Sequence, residues 1–212
     1  VVKLVVLLSG SGSNLQTVID AIAAGRLNAR IAAVISDRAD AYGLQRALQA
    51  NLPAVCLPLP GSRDAAERAR LRAAWETQLA ELTAVFAPDL VLLSGFMRIL
   101  TPRFLSRFPE RVINQHPALL PADGGEIVHL QDGRTIPALR GAHVVADAVT
   151  QQLPVSGCTI HYVTPIVDAG PLLGTREVPL LPGDDAATLH ARIKTAEHEL
   201  LLEVLGRLCT AA

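Results

Sequence analysis

Val1-Val-Lys-Leu-Val-Val-Leu-Leu8, leading directly into Ser9-Gly-Ser-Gly-Ser-Asn14, is the stretch on which the fold turns. A Val and Leu run broken only by Lys3 suits a strand buried on both faces, as in a parallel sheet. The glycine-rich turn then opens a helix from Asn14 to about Gly25, closed by glycine. Working outward, the same alternation repeats. Apolar strands are expected at Ile31–Ser36, Ala54–Leu57, Leu90–Leu93 and Arg111–Asn114, with helices at about Ala41–Ala50 and Arg63–Phe86. This pattern predicts an α/β fold built on a Rossmann-like, doubly wound, mostly parallel sheet, with ligands at the carboxyl ends of its strands. No repeat or linker interrupts it, so residues 1–212 read as one domain.

After Pro121 the pattern changes. Glu126–Leu130 and Arg134–Ala138 flank Gln131-Asp-Gly133, which signals a β-hairpin. A helix over Gly141–Gln151, strands at Cys158–Val163 and Leu172–Val178, and a last helix over about Ala186–Leu208, capped by Asp184 or Asp185, complete the reading.

Composition bounds the function. The 212 residues are 50% hydrophobic and 18% charged, with a net charge of -1, which excludes a disordered chain and argues against a nucleic-acid partner. Apolar runs stay far below the roughly 18 residues of a spanning helix, and no signal peptide is legible, so a cytoplasmic protein without a membrane partner is expected. Cys56, Cys158 and Cys209 lack ligand or disulfide spacing and read as buried thiols, and no metal site is expected.

Three segments carry chemistry. The Ser9–Asn14 turn brings glycines and a helix N-terminus together, which suits either a phosphate cradle or a merely tight turn. Leu15 stands where a dinucleotide fingerprint needs glycine, and no P-loop lysine follows. Asn114 and His116, two residues apart in an extended segment stiffened by Pro117 and Pro121, face one side. An amide donor beside an imidazole suits carbonyl chemistry, one group for the oxyanion and the other for the proton. A carboxylate would orient that histidine, but Asp37, Asp123, Asp132 and Asp168 are equivalent candidates on sequence logic. Gly95-Phe-Met-Arg-Ile-Leu100 offers apolar residues for a flat heterocycle, whereas Arg72 and Trp75 read as a solvated charge and a half-buried ring.

Four blocks in order, Ser9-Gly-Ser-Gly-Ser-Asn-Leu-Gln16, Gly95–Leu100, Asn114-Gln-His-Pro-Ala-Leu-Leu-Pro121 and Val167-Asp-Ala-Gly-Pro171, resemble the folate-dependent phosphoribosylglycinamide formyltransferases of purine synthesis. The segment Ala191–His198 resembles that family too. The resemblance implies transfer of formyl from 10-formyltetrahydrofolate to the amine of glycinamide ribonucleotide, by direct attack and without a metal. It implies that Gly12, Ser13 and Asn14 hold the substrate phosphate, and that Lys194 and Glu197 contact ribose and phosphate. It also implies that Met97, Arg98, Ile99 and Leu100, with Arg72 and Asn114, bind the folate. Asn114, His116 and Asp168 would form the catalytic trio, with Asn114 and His116 on the oxyanion and Asp168 keeping His116 protonated. A monomer or homodimer is expected. The length reads as leaving no room for the extra domains of related tRNA formyltransferases and deformylases. The family pattern breaks at Ala122–Ala138, expected to be a hairpin flap beside the folate cleft, with His143 where the family places a histidine. The rival readings are a nicotinamide-dependent reductase, supported by Asp37, and a phosphate-ligand sensor.

Overall fold

A computed structural model describes residues 1–210. The chain divides into two compact units, Val1–Val112 together with the helix end from Cys209, and Ile113–Leu208.

The first unit alternates strand and helix: β1 (Val2–Leu8), α1 (Ser13–Ala23), β2 (Ala29–Ser36), α2 (Tyr42–Gln49), β3 (Ala54–Cys56), α3 (Ala65–Val85), β4 (Leu90–Leu93) and α4 (Pro102–Leu105). The second holds β5 (Val112–His116), β6 (Ile127–His129), β7 (Thr135–Pro137), α5 (Val144–Thr150), β8 (Val155–Tyr162), β9 (Leu172–Pro179) and most of α6 (Ala186–Thr210). Seven strands form one sheet in the order β3-β2-β1-β4-β5-β8-β9. The pairs β1–β2, β1–β4 and β2–β3 are parallel, whereas β5–β8 and β8–β9 are antiparallel. The expected α/β architecture with a mostly parallel, doubly wound sheet is what the chain adopts.

In the first unit Leu4 to Leu8 and Val91 to Leu92 are fully enclosed, which explains their unbroken apolar runs. The winding reverses between β1 and β4, and that switch point is where open α/β sheets bind ligands. The carboxyl ends of these two strands feed the Ser9–Gly12 turn and the Ser94–Leu100 segment. Gly12 takes a left-handed φ of 69°, and a Cβ there would lie 2.6 Å from the Gly43 Cα, so only glycine fits between the amino ends of α1 and α2.

Several expectations change. Trp75 is fully buried rather than half-buried, stacked at 6.4 Å on Phe96, with its indole N–H donating to the Leu57 carbonyl at 2.9 Å. Burying such a ring is worth about 2–3 kcal/mol relative to exposure, which outweighs its position in an Arg-rich helix. The four-residue α4 escapes sequence reading because it spans a single turn, entered by Thr101 as cap and Pro102. Cys56 is exposed, since it ends an edge strand, while Cys158 and Cys209 are buried.

The hairpin forms as expected. β6 and β7 pair antiparallel, and the Leu130 N–H donates to Arg134 O at 2.8 Å. Val128, Leu130 and Ile136 pack with Leu119 and Val155 in a small core of their own. The hairpin is thus anchored to the Asn114–Pro121 segment through Leu119. No helix among the described residues is long and apolar enough to cross a membrane.

Candidate active site

In the second unit, strand alternation puts Asn114 and His116 on one side of β5, as expected. The antiparallel partner β8 sets His161 opposite Asn114 and Thr159 opposite His116. Thr159 donates its hydroxyl to Ala118 O at 2.8 Å and accepts from the Leu120 N–H at 3.1 Å, which fixes the chain as it leaves β5.

Asp168 comes from the loop between β8 and β9. Its Oδ2 lies 3.5 Å from His116 Nδ1 and its Oδ1 lies 3.6 Å from His161 Nε2, ion-pair separations rather than close hydrogen bonds. The three catalytic candidates therefore converge, and His161 joins them at 3.3 Å from Asn114 Nδ2. Both imidazoles are given a tautomer by main-chain carbonyls, which can only accept. Leu139 O sits 2.8 Å from His116 Nε2, and Tyr162 O sits 2.9 Å from His161 Nδ1. His116 thus carries its proton on Nε2 and turns Nδ1 to Asp168, while His161 turns Nε2 to the Asn114 amide.

Burial pushes the His116 imidazole below its ordinary value, and this outweighs Asp168 and the Leu139 carbonyl, which raise it. His161 and Arg140 add to the lowering. Burial thus opposes Asp168, which by itself favours the protonated ring. For Asp168 burial alone would raise the carboxyl, but His161, His116 and the Gly141 N–H together hold it below the usual carboxylate range.

Lys194 and Glu197 lie one turn apart on α6, the first half-buried and the second buried. His190 and His198 flank Lys194 by one turn each, and both are pushed down, first by burial and then by the lysine charge.

In the first unit, Gly12 occupies the N-cap of α1 and no side chain caps that helix. Ser13 and Asn14 instead begin the helix, so its first amides point from the turn as an anion site requires. The Met97–Thr101 segment is held at four points. The Met97 N–H donates to Ser9 Oγ at 2.9 Å, Arg98 Nε donates to Asp37 at 2.6 Å, Arg72 donates to Ile99 O, and Thr101 N–H donates to Glu76 at 2.5 Å. Asp37 also accepts from the Ser9 hydroxyl at 2.5 Å. Arg72 is therefore no solvated charge: it lies over Trp75 at 5.3 Å and grips the loop. Met97 and Ile99 expose 63% and 61% of their surfaces and can meet a heterocycle, whereas the Leu100 side chain is buried in the core.

The Formyl transferase family model matches residues 2–205. The chain belongs to the formyl transferase family. It is 41% identical over 210 residues to a phosphoribosylglycinamide formyltransferase of Mycobacterium tuberculosis, covering 98% of this chain and 85% of that relative. It is 36% identical over 198 residues to the Escherichia coli (strain K12) protein of the same name, covering 93% and 82% of the two chains. A glycinamide ribonucleotide transformylase 1 from Symbiobacterium toebii superposes with a TM-score of 0.84 at 36% identity, covering 99% of this chain and 88% of that one. This formyl transferase is an enzyme that uses a folate-derived formyl donor. Neither rival reading finds support, and Asp37, the residue that suggested nicotinamide, is committed to Ser9 and Arg98.

Sequence reasoning missed His161, Arg140 and Glu76. Only His161 left a signal, its place two residues after Thr159 on a strand expected to run beside the Asn114 strand.

Proposed function

We propose that this formyl transferase moves the formyl group of 10-formyltetrahydrofolate onto the amine of N1-(5-phospho-D-ribosyl)glycinamide, as a cytoplasmic step of purine synthesis, working as a monomer or homodimer. The observation that carries the reading is the Asp168 carboxylate set between two histidines, with the Asn114 amide beside one of them.

The amine attacks the formyl carbon, and the carbonyl electron pair moves to oxygen. Asn114 has two amide hydrogens; one is directed at His161, and the second is assigned to the oxyanion. The proton lost by the amine is taken up at His116 Nδ1, where Asp168 stabilises the imidazolium that forms. That cation adds its charge to oxyanion stabilisation. The same proton then passes to folate N10, the carbonyl reforms and the carbon–N10 bond breaks. His116 acts as proton holder rather than oxyanion donor, because its Nε2–H is engaged by Leu139.

Met97 and Ile99 are assigned to the pterin with the backbone of Arg98 and Leu100, and Arg72 to holding that segment. Gly12, Ser13 and Asn14 are assigned to the phosphate, and Lys194 with Glu197 to ribose and phosphate. The test is a wild-type assay with both substrates, following tetrahydrofolate release. Release that depends on the ribonucleotide is expected; release indifferent to it, or none, would sink the reading.

A further inference from the structure

The segment that follows the hairpin, Leu139-Arg-Gly141, touches the proposed catalytic trio three times. Leu139 O accepts from His116 Nε2 at 2.8 Å, the Gly141 N–H donates to Asp168 Oδ2 at 3.1 Å, and Arg140 Nε donates to Asp168 O at 3.3 Å. One main-chain turn thus sets the orientation of both the base and the carboxylate. Gly141, at a φ of 90°, lets the chain turn sharply enough to offer successive groups to two different side chains.

A turn is only as exact as its anchor. Arg140 supplies one, since its guanidinium donates to Gly124 O at 3.0 Å, Gly125 O at 2.5 Å and Glu126 Oε1 at 3.2 Å as well as to Asp168 O. Its side chain is 21% exposed. The planar fork with five donors suits this spread of oxygens, which a lysine ammonium cannot span. All four acceptors lie either at the base of the hairpin or on the Asp168 loop.

We infer that Arg140 is a positioning residue for formyl transfer, clamping the hairpin base to the Asp168 loop so that Leu139 fixes the His116 tautomer and Gly141 fixes the Asp168 carboxylate. The inserted hairpin then has a task in the reaction: it delivers and locks the turn that orients the base. This inference rests on the proposed role of His116 and Asp168, and its test separates the two.

Wild type, Arg140→Ala, Arg140→Gln, Arg140→Lys and His116→Ala are prepared with 15N-labelled histidine, and folding is checked by circular dichroism. In wild type the His116 ring nitrogens are expected to show a single Nε2–H form. In Arg140→Ala they move to a mixture of tautomers, and kcat falls roughly 10- to 100-fold, as for a misplacement of about 1 Å, while both KM values stay within about twofold. Arg140→Lys regains part of each change. A folded Arg140→Ala with wild-type ring signals and kcat within about twofold of wild type would overturn the inference. If Arg140→Ala does not fold, Arg140→Gln is read by the same two criteria. Near-normal turnover in His116→Ala overturns the functional reading instead, and the ring signals, which need no turnover, still decide the role of Arg140.

Discussion

Asp37 and Asp168 are both carboxylates that follow strands, both largely enclosed, and each is met by two side chains of its own unit. Their partners differ in kind. Asp37 accepts from the Ser9 hydroxyl and the Arg98 guanidinium at 2.5 and 2.6 Å. Asp168 faces two imidazoles at 3.5 and 3.6 Å. A guanidinium never gives up its proton in a protein, so Arg98 is a permanent partner and the Asp37 cluster serves as a brace between the glycine-rich turn and the Met97–Thr101 segment. Imidazoles change charge near neutrality, and the longer separations leave room for a proton to come and go. Permanence of the partner's charge separates the brace from the reacting group.

The largest expected effect tests that division directly. Asp168→Asn keeps the size of the side chain but cannot stabilise an imidazolium, and turnover should fall by about 10³–10⁴ with little change in thermal unfolding. Asp37→Asn should leave kcat within a small factor of wild type. Equal losses in the two variants would erase the distinction.

Stability should respond in the opposite sense. Asp37→Ala removes the acceptor of a buried hydroxyl and the partner of a guanidinium, costing roughly 2–3 kcal/mol in urea unfolding. Asp168→Ala should cost less, because it loses one main-chain hydrogen bond from Gly141 and two longer histidine contacts rather than two short side-chain bonds.

A smaller effect concerns pH. Turnover needs His116 neutral before the amine arrives, and burial holds its folded value below the ordinary one near 6.5. Activity should therefore persist through pH 6.5 and decline only as pH drops through that lower value. Asp168 raises His116, while His161 and Arg140 lower it. Asp168→Asn should accordingly move the residual acid limb to still lower pH, and Asp37→Asn should leave it in place. The fold follows the same direction: both His116 and Asp168 have depressed values, so the stability they contribute is present at neutral pH and lost on acidification.

The smallest effect has a built-in reporter. Cys56 is exposed, and burial followed by the Asp37 charge raises its thiol. Buried Cys158 is pushed up to about 12. A thiol reagent should label Cys56 first, and somewhat faster in Asp37→Asn, where that charge is gone. An unchanged labelling rate would mean that the Asp37 charge does not reach the Cys56 thiol.

Local pattern made much of this legible. Leu90–Leu93 reads as a strand because four enclosed residues must all be apolar, and Asn114 and His116 share a side because a strand repeats every two residues. The choice of Asp168 among four aspartates was not legible from local features, because what distinguishes it is pairing across the β5–β8 ladder, which brings His161 to Asn114 over 47 residues. The family resemblance supplied that choice. Arg140 stayed hidden for a related reason: it lies where the resemblance breaks, and its partners sit 14 to 28 residues away. That the Leu100 side chain turns into the core while Met97 and Ile99 are exposed was likewise not legible in the sequence, because burial of that segment depends on what packs beneath it.

Asp168 also holds a left-handed backbone, with a φ of 51°. Few side chains tolerate that region, and an aspartate there costs on the order of 1 kcal/mol against glycine. Selection for durability alone would drift toward glycine at this position, and selection for catalysis would not allow it. In a mutational survey scored by thermal persistence, Asp168→Gly should thus be better tolerated than Asp168→Ala, while the same survey scored by purine-auxotroph rescue should find the two equally damaging.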